Sequence, residues 1–282
     1  MSQTMPASKP ITSSKGLTVL RSVFLAFVIA AVILPLFYLV TLTFTPQSEI
    51  LSGRLIPASL TLDNWPAYWE RIPMLTFARN SVLAAVMGTV LSLLIATPVA
   101  YAIVRHRTGG GVLPTYVLSA FIAPPVVAII PMFFLLRYIG LLNNAAGLGL
   151  IYGLVNVSVA TWLLFSFIER IPVEIEEAAV LDGAGVLRTI WHVVLPLLAP
   201  GLAATAIILL ILNYNEFLFA VTMSQSVDSQ TLPVAISLFQ GDRGVQFGQM
   251  AAASMTAMIP VYVMALIMQK WLVGGLTSGG VK

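Results

Sequence analysis

The chain has 282 residues, of which 59% are hydrophobic and only 9% charged, with a net charge of +3. A soluble domain carries about 25% charged residues, so this composition excludes a soluble globular protein and implies an integral membrane protein. The basic residues are scattered without an aromatic platform, which argues against nucleic acid, and the absence of cysteine excludes disulfides, thiolate catalysis and cysteine-based metal sites.

Residues 1–17 are rich in Ser, Thr, Pro and Lys and read as a disordered tail. Lys9, Lys15 and Arg21 then precede an apolar run from Ser22 to Phe44. At about 23 residues that run is longer than a signal-peptide core and no small-residue cleavage site follows, so it reads as an uncleaved first helix. A bilayer core of ~30 Å needs about 20 apolar residues at 1.5 Å each. Windows of that kind lie at Thr18–Phe44, Phe77–Val104, Val112–Tyr138, Gly147–Phe167, Leu197–Met223 and Met250–Val273. They predict an all-α membrane fold of six transmembrane helices, spanning residues 18–273, with a C-terminal tail at 274–282. Pro35, Pro98, Pro124, Pro125, Pro131 and Pro260 fall inside the windows and predict kinks rather than breaks.

Orientation follows from Lys and Arg. With the N-terminus inside, the inner side holds Lys9, Lys15, Arg21, Arg105, Arg107, Arg170, Arg188, Lys270 and Lys282; the outer side holds Arg54, Arg71, Arg79, Arg137 and Arg243. The excess places both termini in the cytoplasm. The outer segment 45–76 carries Trp65, Tyr68 and Trp69, which predict an interfacial aromatic patch. The outer segment 224–249 is polar and includes QGDRG at 240–244.

Between the fourth and fifth windows the chain reads IPVEIEEAAVLDGAGVLRTIWHVVLPLLAPG, from Ile171 to Gly201. By parity this segment is cytoplasmic. Pro172 predicts the end of the fourth helix. Glu174, Glu176 and Glu177 then open a short helix, where negative charge suits the helix dipole. Gly183 and Gly185 interrupt it. A second short helix, about Val186–Val194, is expected to carry Leu187, Ile190, Trp191 and Val194 on one face, and Pro196 to end it. The object is a two-helix elbow, about residues 172–199, with an apolar and an acidic face. An inner membrane surface attracts basic segments, so clustered glutamates favour a protein partner over a plain linker.

The run Glu177, Ala178, Ala179, Asp182, Gly183, Ala184, followed by Leu195–Pro196, resembles the EAA loop of ABC importer permeases. The stretches NEFLFAVTM (215–223), TLPVAISLFQG (231–241) and GLTSGGVK (275–282) are similar to the smaller permease subunit of maltose-type carbohydrate importers. The resemblance implies a second permease subunit, two ABC ATPase subunits that use ATP and Mg, an extracytoplasmic solute-binding protein, and a bacterial or archaeal cell membrane. It implies that the elbow sits in a cleft of the ATPase as a lever. Gly183 would make its turn, Ala178 and Ala179 would allow close packing, Glu176 and Glu177 would supply charge, with Glu177 paired to a basic residue of the ATPase, and Asp182 would cap the turn. It also gives the tail around Ser278, Gly279 and Gly280 a place along the ATPase interface. Gln240, Asp242 and Arg243 become candidates for contact with the binding protein. The energy source lies elsewhere, because the nearest phosphate-loop look-alike, Gly274 to Gly279, is followed by Gly280 instead of Lys and has no strand before it.

Glu216 is the one carboxylate well inside an apolar window. Asn213 shares its face at i, i+3 spacing and Tyr214 is adjacent. Such a group faces a cavity or a partner. Three readings stand: a polar lining for a hydroxyl-rich solute, hydrogen bonds that join helices, or contact with the second permease subunit. His106 and His192 have no carboxylate at metal-ligand spacing, and no nucleophile elbow or H-E-x-x-H is present, so no enzyme site is expected. The expected solute is a carbohydrate. A polyol or glycerol phosphate is the alternative within the family, and a secondary transporter the more distant one.

Overall fold

The computed structural model of the chain describes residues 15–122, 124–241 and 244–277. Among these, four continuous helices are long and apolar enough to cross a membrane. They are α1 (Lys15–Thr43), α3 (Met74–His106), the helix running from Val186 to Tyr214, and the body of α13 (Phe247–Thr277). The pair α6 (Ala145–Val155) and α7 (Val157–Glu169), bent by 48° at Asn156, is apolar enough to make a fifth when taken as one span. The short amphipathic α2 (Asn64–Arg71) precedes α3.

Two expected spans are divided instead of kinked. The third window falls into α4 (Val112–Ile122) and α5 (Ile129–Tyr138), joined through a 3-10 turn over Pro125–Ala128. Pro124 is extended because the residue before a proline is pushed out of the helical region, so Pro125 restarts the helix instead of bending it. The fifth window ends as a helix at Tyr214, and α11 (Leu218–Met223) follows as a separate piece. The short α12 (Leu232–Ser237) leads to a minimal antiparallel pair, β1 (Gln240–Gly241) and β2 (Gly244–Val245), with Gln240 opposite Val245.

The centre of the fold is α3, which packs against α6, α7 and α10 (Leu195–Tyr214). Ala84, Gly88, Ser92, Ala96 and Ala100 recur every four residues along it, and all are buried. Spacing of four keeps them on one face, and small side chains let a neighbouring helix approach closely where no hydrophobic drive separates helix from lipid. The facing stripe on α6 is Ala145, Gly149 and Gly153. A Cβ on Gly88 would lie 2.7 Å from the Tyr152 Cβ, and one on Gly149 would lie 2.8 Å from the Met87 Cβ. The Ser92 hydroxyl donates to the Gly153 carbonyl at 2.9 Å across this seam. By contrast α1 is exposed along its apolar length and packs chiefly on α13.

The aromatic patch expected on the outer segment is mostly internal. Tyr68 is buried, with its hydroxyl 2.7 Å from that of Thr256, and Trp65 packs against the same core; Trp69 alone stays about half exposed. Helical spacing explains this, since residues 65 and 68 share a face of α2 and residue 69 sits at its edge.

Candidate functional site

The elbow forms at the C-terminal end of α3, about 50 Å along a 33-residue helix from its other end. Its first arm is α8 (Val173–Leu181), with Glu174 and Glu176 in the first turn. The arm ends in a Schellman motif: Ala184 N–H donates to Ala179 O and Gly183 N–H to Val180 O, both at 2.9 Å. Gly183 takes φ +84° there, a conformation that suits glycine. Main-chain bonds therefore close the turn. The Asp182 side chain, expected to cap it, is exposed, and no hydrogen bond to it is formed among the described residues.

The second arm does not stop at Pro196. It begins as α9 (Val186–Thr189), passes through a π-helical turn at Ile190–Val194, and continues unbroken into α10. Leu195 N–H donates five residues back to Ile190 O, so the wide turn has already shifted the bonding pattern before proline removes a donor. The same turn rotates the expected apolar face: Val194 is buried, whereas Leu187 and Trp191 are exposed. The second arm and the span α10 are thus one continuous helix, and the first arm joins it through the turn at Gly183.

The adjacent glutamates point to different places. Glu177 is exposed beside Ala178, Asp182 and Gly183 at the tip, while Ala179 and Ala184 are half-buried. Glu176 turns inward and is 7% exposed. Its Oε1 receives the Arg105 Nε at 2.7 Å and its Oε2 the Tyr101 hydroxyl at 2.6 Å. Arg105 Nη2 also donates to Ile168 O at 3.0 Å, a carbonyl that already accepts from the Ile171 N–H, and to Ile171 O at 2.5 Å just past the end of α7. Both oxygens of Glu176 are occupied within the chain, so the expectation that it serves the outer contact does not match its placement. Arg105 and Tyr101 were not among the expected site residues. Beside this cluster a cavity of about 500 Å³ opens between elbow and α3, lined by His106, Val173, Val180, Leu181 and Val186 as well. Leu181 at 88% and Leu187 at 74% exposure make the tip strongly apolar, with Glu177 and Asp182 as its charges.

The residues expected along a solute path are largely internal. Asn213 is buried: its Oδ1 accepts from Asn156 Nδ2 at 2.7 Å, and its Nδ2 donates to Thr89 Oγ1 at 3.1 Å and Ala85 O at 3.4 Å. Tyr214 is buried, with its hydroxyl donating to Ala257 O at 2.8 Å. Glu216 lies in the break after α10, not within a helix. Its carboxylate accepts from Phe219 N–H at 2.9 Å and Ala220 N–H at 3.2 Å, which caps α11. This is what divides the fifth window: a carboxylate that captures the donors of a new helix lets the old one end. A cleft of about 450 Å³ runs beside Tyr214 and Asn215, along α12 and α13, with Ser254 and Tyr262 on its wall.

At the end of the molecule opposite the elbow, Gln47 Nε2 donates to Val245 O at 2.8 Å and braces the β1–β2 hairpin. Gln240 is exposed on it; Asp242 and Arg243, the other expected contact residues, lie outside the described residues, as do Ser278, Gly279 and Gly280 of the tail. The segment before α2 is closed by Glu49, which accepts from Ala58 N–H at 2.8 Å and from the Ser59 hydroxyl at 2.5 Å. The Ser59 hydroxyl and then the Ala58 N–H hold this carboxyl below its ordinary value of 4.5. A carboxyl with a depressed folded pKa stabilises above its unfolded value and loses that contribution as pH falls through the folded one. Hydrogen exchange at the Ala58 amide should therefore stay slow at neutral pH and lose protection in acid as the carboxyl takes up its proton. In Glu49→Ala the protection should be absent at neutral pH as well.

Residues 75–278 match the family described as binding-protein-dependent transport system inner membrane component. The chain is similar to the trehalose/maltose transport system permease protein of Thermococcus litoralis, 32% identical over 253 residues, covering 88% of this chain and 91% of that protein. It is also similar to the trehalose transport system permease protein of Mycobacterium tuberculosis, 32% identical over 258 residues, covering 90% and 94%. Among solved structures, a subunit of a bacterial ABC transporter involved in the import of the acidic polysaccharide alginate superposes with a TM-score of 0.75 at 22% identity, covering 93% of this chain and 99% of that one, which shows a shared fold.

Proposed function

The chain belongs to the family of binding-protein-dependent transport system inner membrane components, and on that premise we propose that it carries a carbohydrate across the membrane under the pull of a separate ATPase. It is a multi-pass permease component and not an enzyme. The observation that carries the reading is the elbow: an exposed tip of Glu177, Ala178, Asp182 and Gly183 that joins, through the Gly183 turn, an arm continuous with the span α10. A load on the tip reaches the spanning helix through the short Gly183 turn, which main-chain bonds to Val180 O and Ala179 O hold closed. The partners are a second permease subunit, two ATPase chains that bind ATP and Mg, and an extracytoplasmic solute-binding protein. The elbow faces the cytoplasm, as do both termini, in keeping with the excess of Lys and Arg on that side.

Carbohydrate is favoured over a polyol or glycerol phosphate because the relatives named above carry trehalose or maltose in their descriptions. Family membership sets aside a self-sufficient secondary transporter. This subunit's share of the solute path is proposed along the cleft beside Asn215, Ser254 and Tyr262, where amide, hydroxyl and ring suit a sugar's hydroxyls and apolar face.

Gly183→Asp tests the lever. Nothing lies within 4 Å of a Cβ at this position, so the substitution meets no clash inside the chain. Its folding penalty is the left-handed backbone alone, about 1 kcal/mol for a residue type that tolerates it. The variant should assemble in the membrane yet lose solute uptake and solute-stimulated ATP hydrolysis by at least about tenfold, the scale of a coupling free energy. Normal uptake with normal stimulation would count against the lever.

A further inference from the structure

The first arm of the elbow has a lateral attachment that chain continuity does not require. On one side α8 follows α7, and on the other α9 leads into α10. Neither connection involves α3. Yet Glu176 of α8 is bound by Arg105 and Tyr101, four residues apart on one face at the end of α3. The ion pair is nearly shielded, with the two side chains only 11% and 10% exposed, and Arg105 adds bonds to Ile168 O and Ile171 O on the connecting chain. One guanidinium thus ties together three segments: the end of α7, the first arm of the elbow, and the central helix on which α6, α7 and α10 all pack. A guanidinium suits this because its rigid fork can bond a carboxylate and carbonyls at once.

We propose that Arg105 and Tyr101 are positioning residues that latch the elbow to α3, so that a pull on the tip is delivered to the central helix as well as to α10. The two neighbouring glutamates divide the work: Glu176 holds the latch from inside, and Glu177 faces the partner. Without the latch the tip still pulls α10, but α8 tilts away from α3 and the helix packed against α6 stays behind. The proposal rests on the importer reading above.

The test uses the whole assembly: this chain with its partner permease, ATPase subunits and binding protein, reconstituted in lipid with a transported sugar. Removing one partner of a buried pair leaves an uncompensated charge, so Arg105→Met alone could fail to fold. The paired variant Arg105→Met with Glu176→Met removes the latch without stranding a charge, since apolar residues of similar volume commonly replace such a pair without loss of stability. Tyr101→Phe removes one bond and keeps the ring.

In the paired variant the amount of assembled complex should match the wild type, with its thermal midpoint lowered only as far as the lost bonds to Ile168 O, Ile171 O and the Tyr101 hydroxyl require. The number of solute molecules imported per ATP hydrolysed should fall by about tenfold, within the usual range of coupling between sites. Tyr101→Phe should show a smaller fall of the same ratio. A merely structural role would lower the amount of complex and leave that ratio unchanged. A paired variant that assembles and keeps the wild-type ratio overturns the latch, and so does one whose only defect is poor assembly. If instead the wild-type assembly shows no solute-stimulated ATP hydrolysis, the importer reading itself fails.

Discussion

Gly88→Val should leave no assembled protein in the membrane. The residue lies where the small-residue stripe of α3 meets that of α6, and its hydrogen is all that fits. A single Cβ would stand 2.7 Å from the Tyr152 Cβ, 3.0 Å from the Asn213 Nδ2 and 3.3 Å from the Gly149 carbonyl oxygen. The first of these is a side-chain root that cannot swing aside. The second belongs to a hydrogen-bonded amide, so clearing the contact also breaks bonds to Thr89 and Ala85. Overpacking costs about 1–3 kcal/mol where a core can adjust, and more where it cannot. Valine adds two further branches to a seam that already fails to admit one atom. The check is membrane abundance of the tagged chain with detergent-resistant assembly. Val90→Leu, on an exposed face of the same helix, should assemble as the wild type does. Wild-type abundance of Gly88→Val would mean that α3 and α6 do not meet as described.

The elbow is legible in the sequence because its signals are local. Pro172, glutamates in a first turn and a glycine after Leu181 announce an arm and its end, and the structure places them so. The direction of Glu176 is not legible, because its partners lie 75 and 71 positions away and no local spacing relates them. The break at Glu216 is hidden for a different reason. A hydropathy window averages over residues 215–217, while the break is made by one carboxylate accepting two main-chain donors. The division of the third window is hidden because prolines inside an apolar run predict a kink, whereas Pro125 forces its predecessor out of the helix. The period-four stripe from Ala84 to Ala100 and the Gly149–Gly153 pair were in plain view as small residues at helical spacing. They say which faces meet, which apolarity alone cannot, since every face of a span is apolar.

Asn213→Leu separates the two roles that a buried amide at this depth can have. In the structure Asn213 accepts from Asn156 at the bend between α6 and α7 and donates to α3 through Thr89 and Ala85. Leucine has similar volume, so the packing survives and the polar partners are stranded. A hydrogen bond between membrane helices is worth about 0.6–2 kcal/mol, so losing this cluster should destabilise by about 2–4 kcal/mol if the bonds act independently. At roughly 2–4 °C per kcal/mol for a chain of this size class, the thermal midpoint should fall by about 5–15 °C. The loss should be shared within the cluster: Thr89→Val should cost less in the Asn213→Leu background than in the wild type, because its partner is already gone. Transport by the protein that does assemble should keep the wild-type KM for its sugar. An amide that lined the solute path would behave in the opposite way. Its replacement would leave the midpoint near the wild type and raise KM, because a site built to bond a hydroxyl loses that partner on substitution. A variant that melts normally but has lost affinity for its sugar would therefore move Asn213 from the helix joints to the path, and with it the direction in which the inner face of α10 is taken to point.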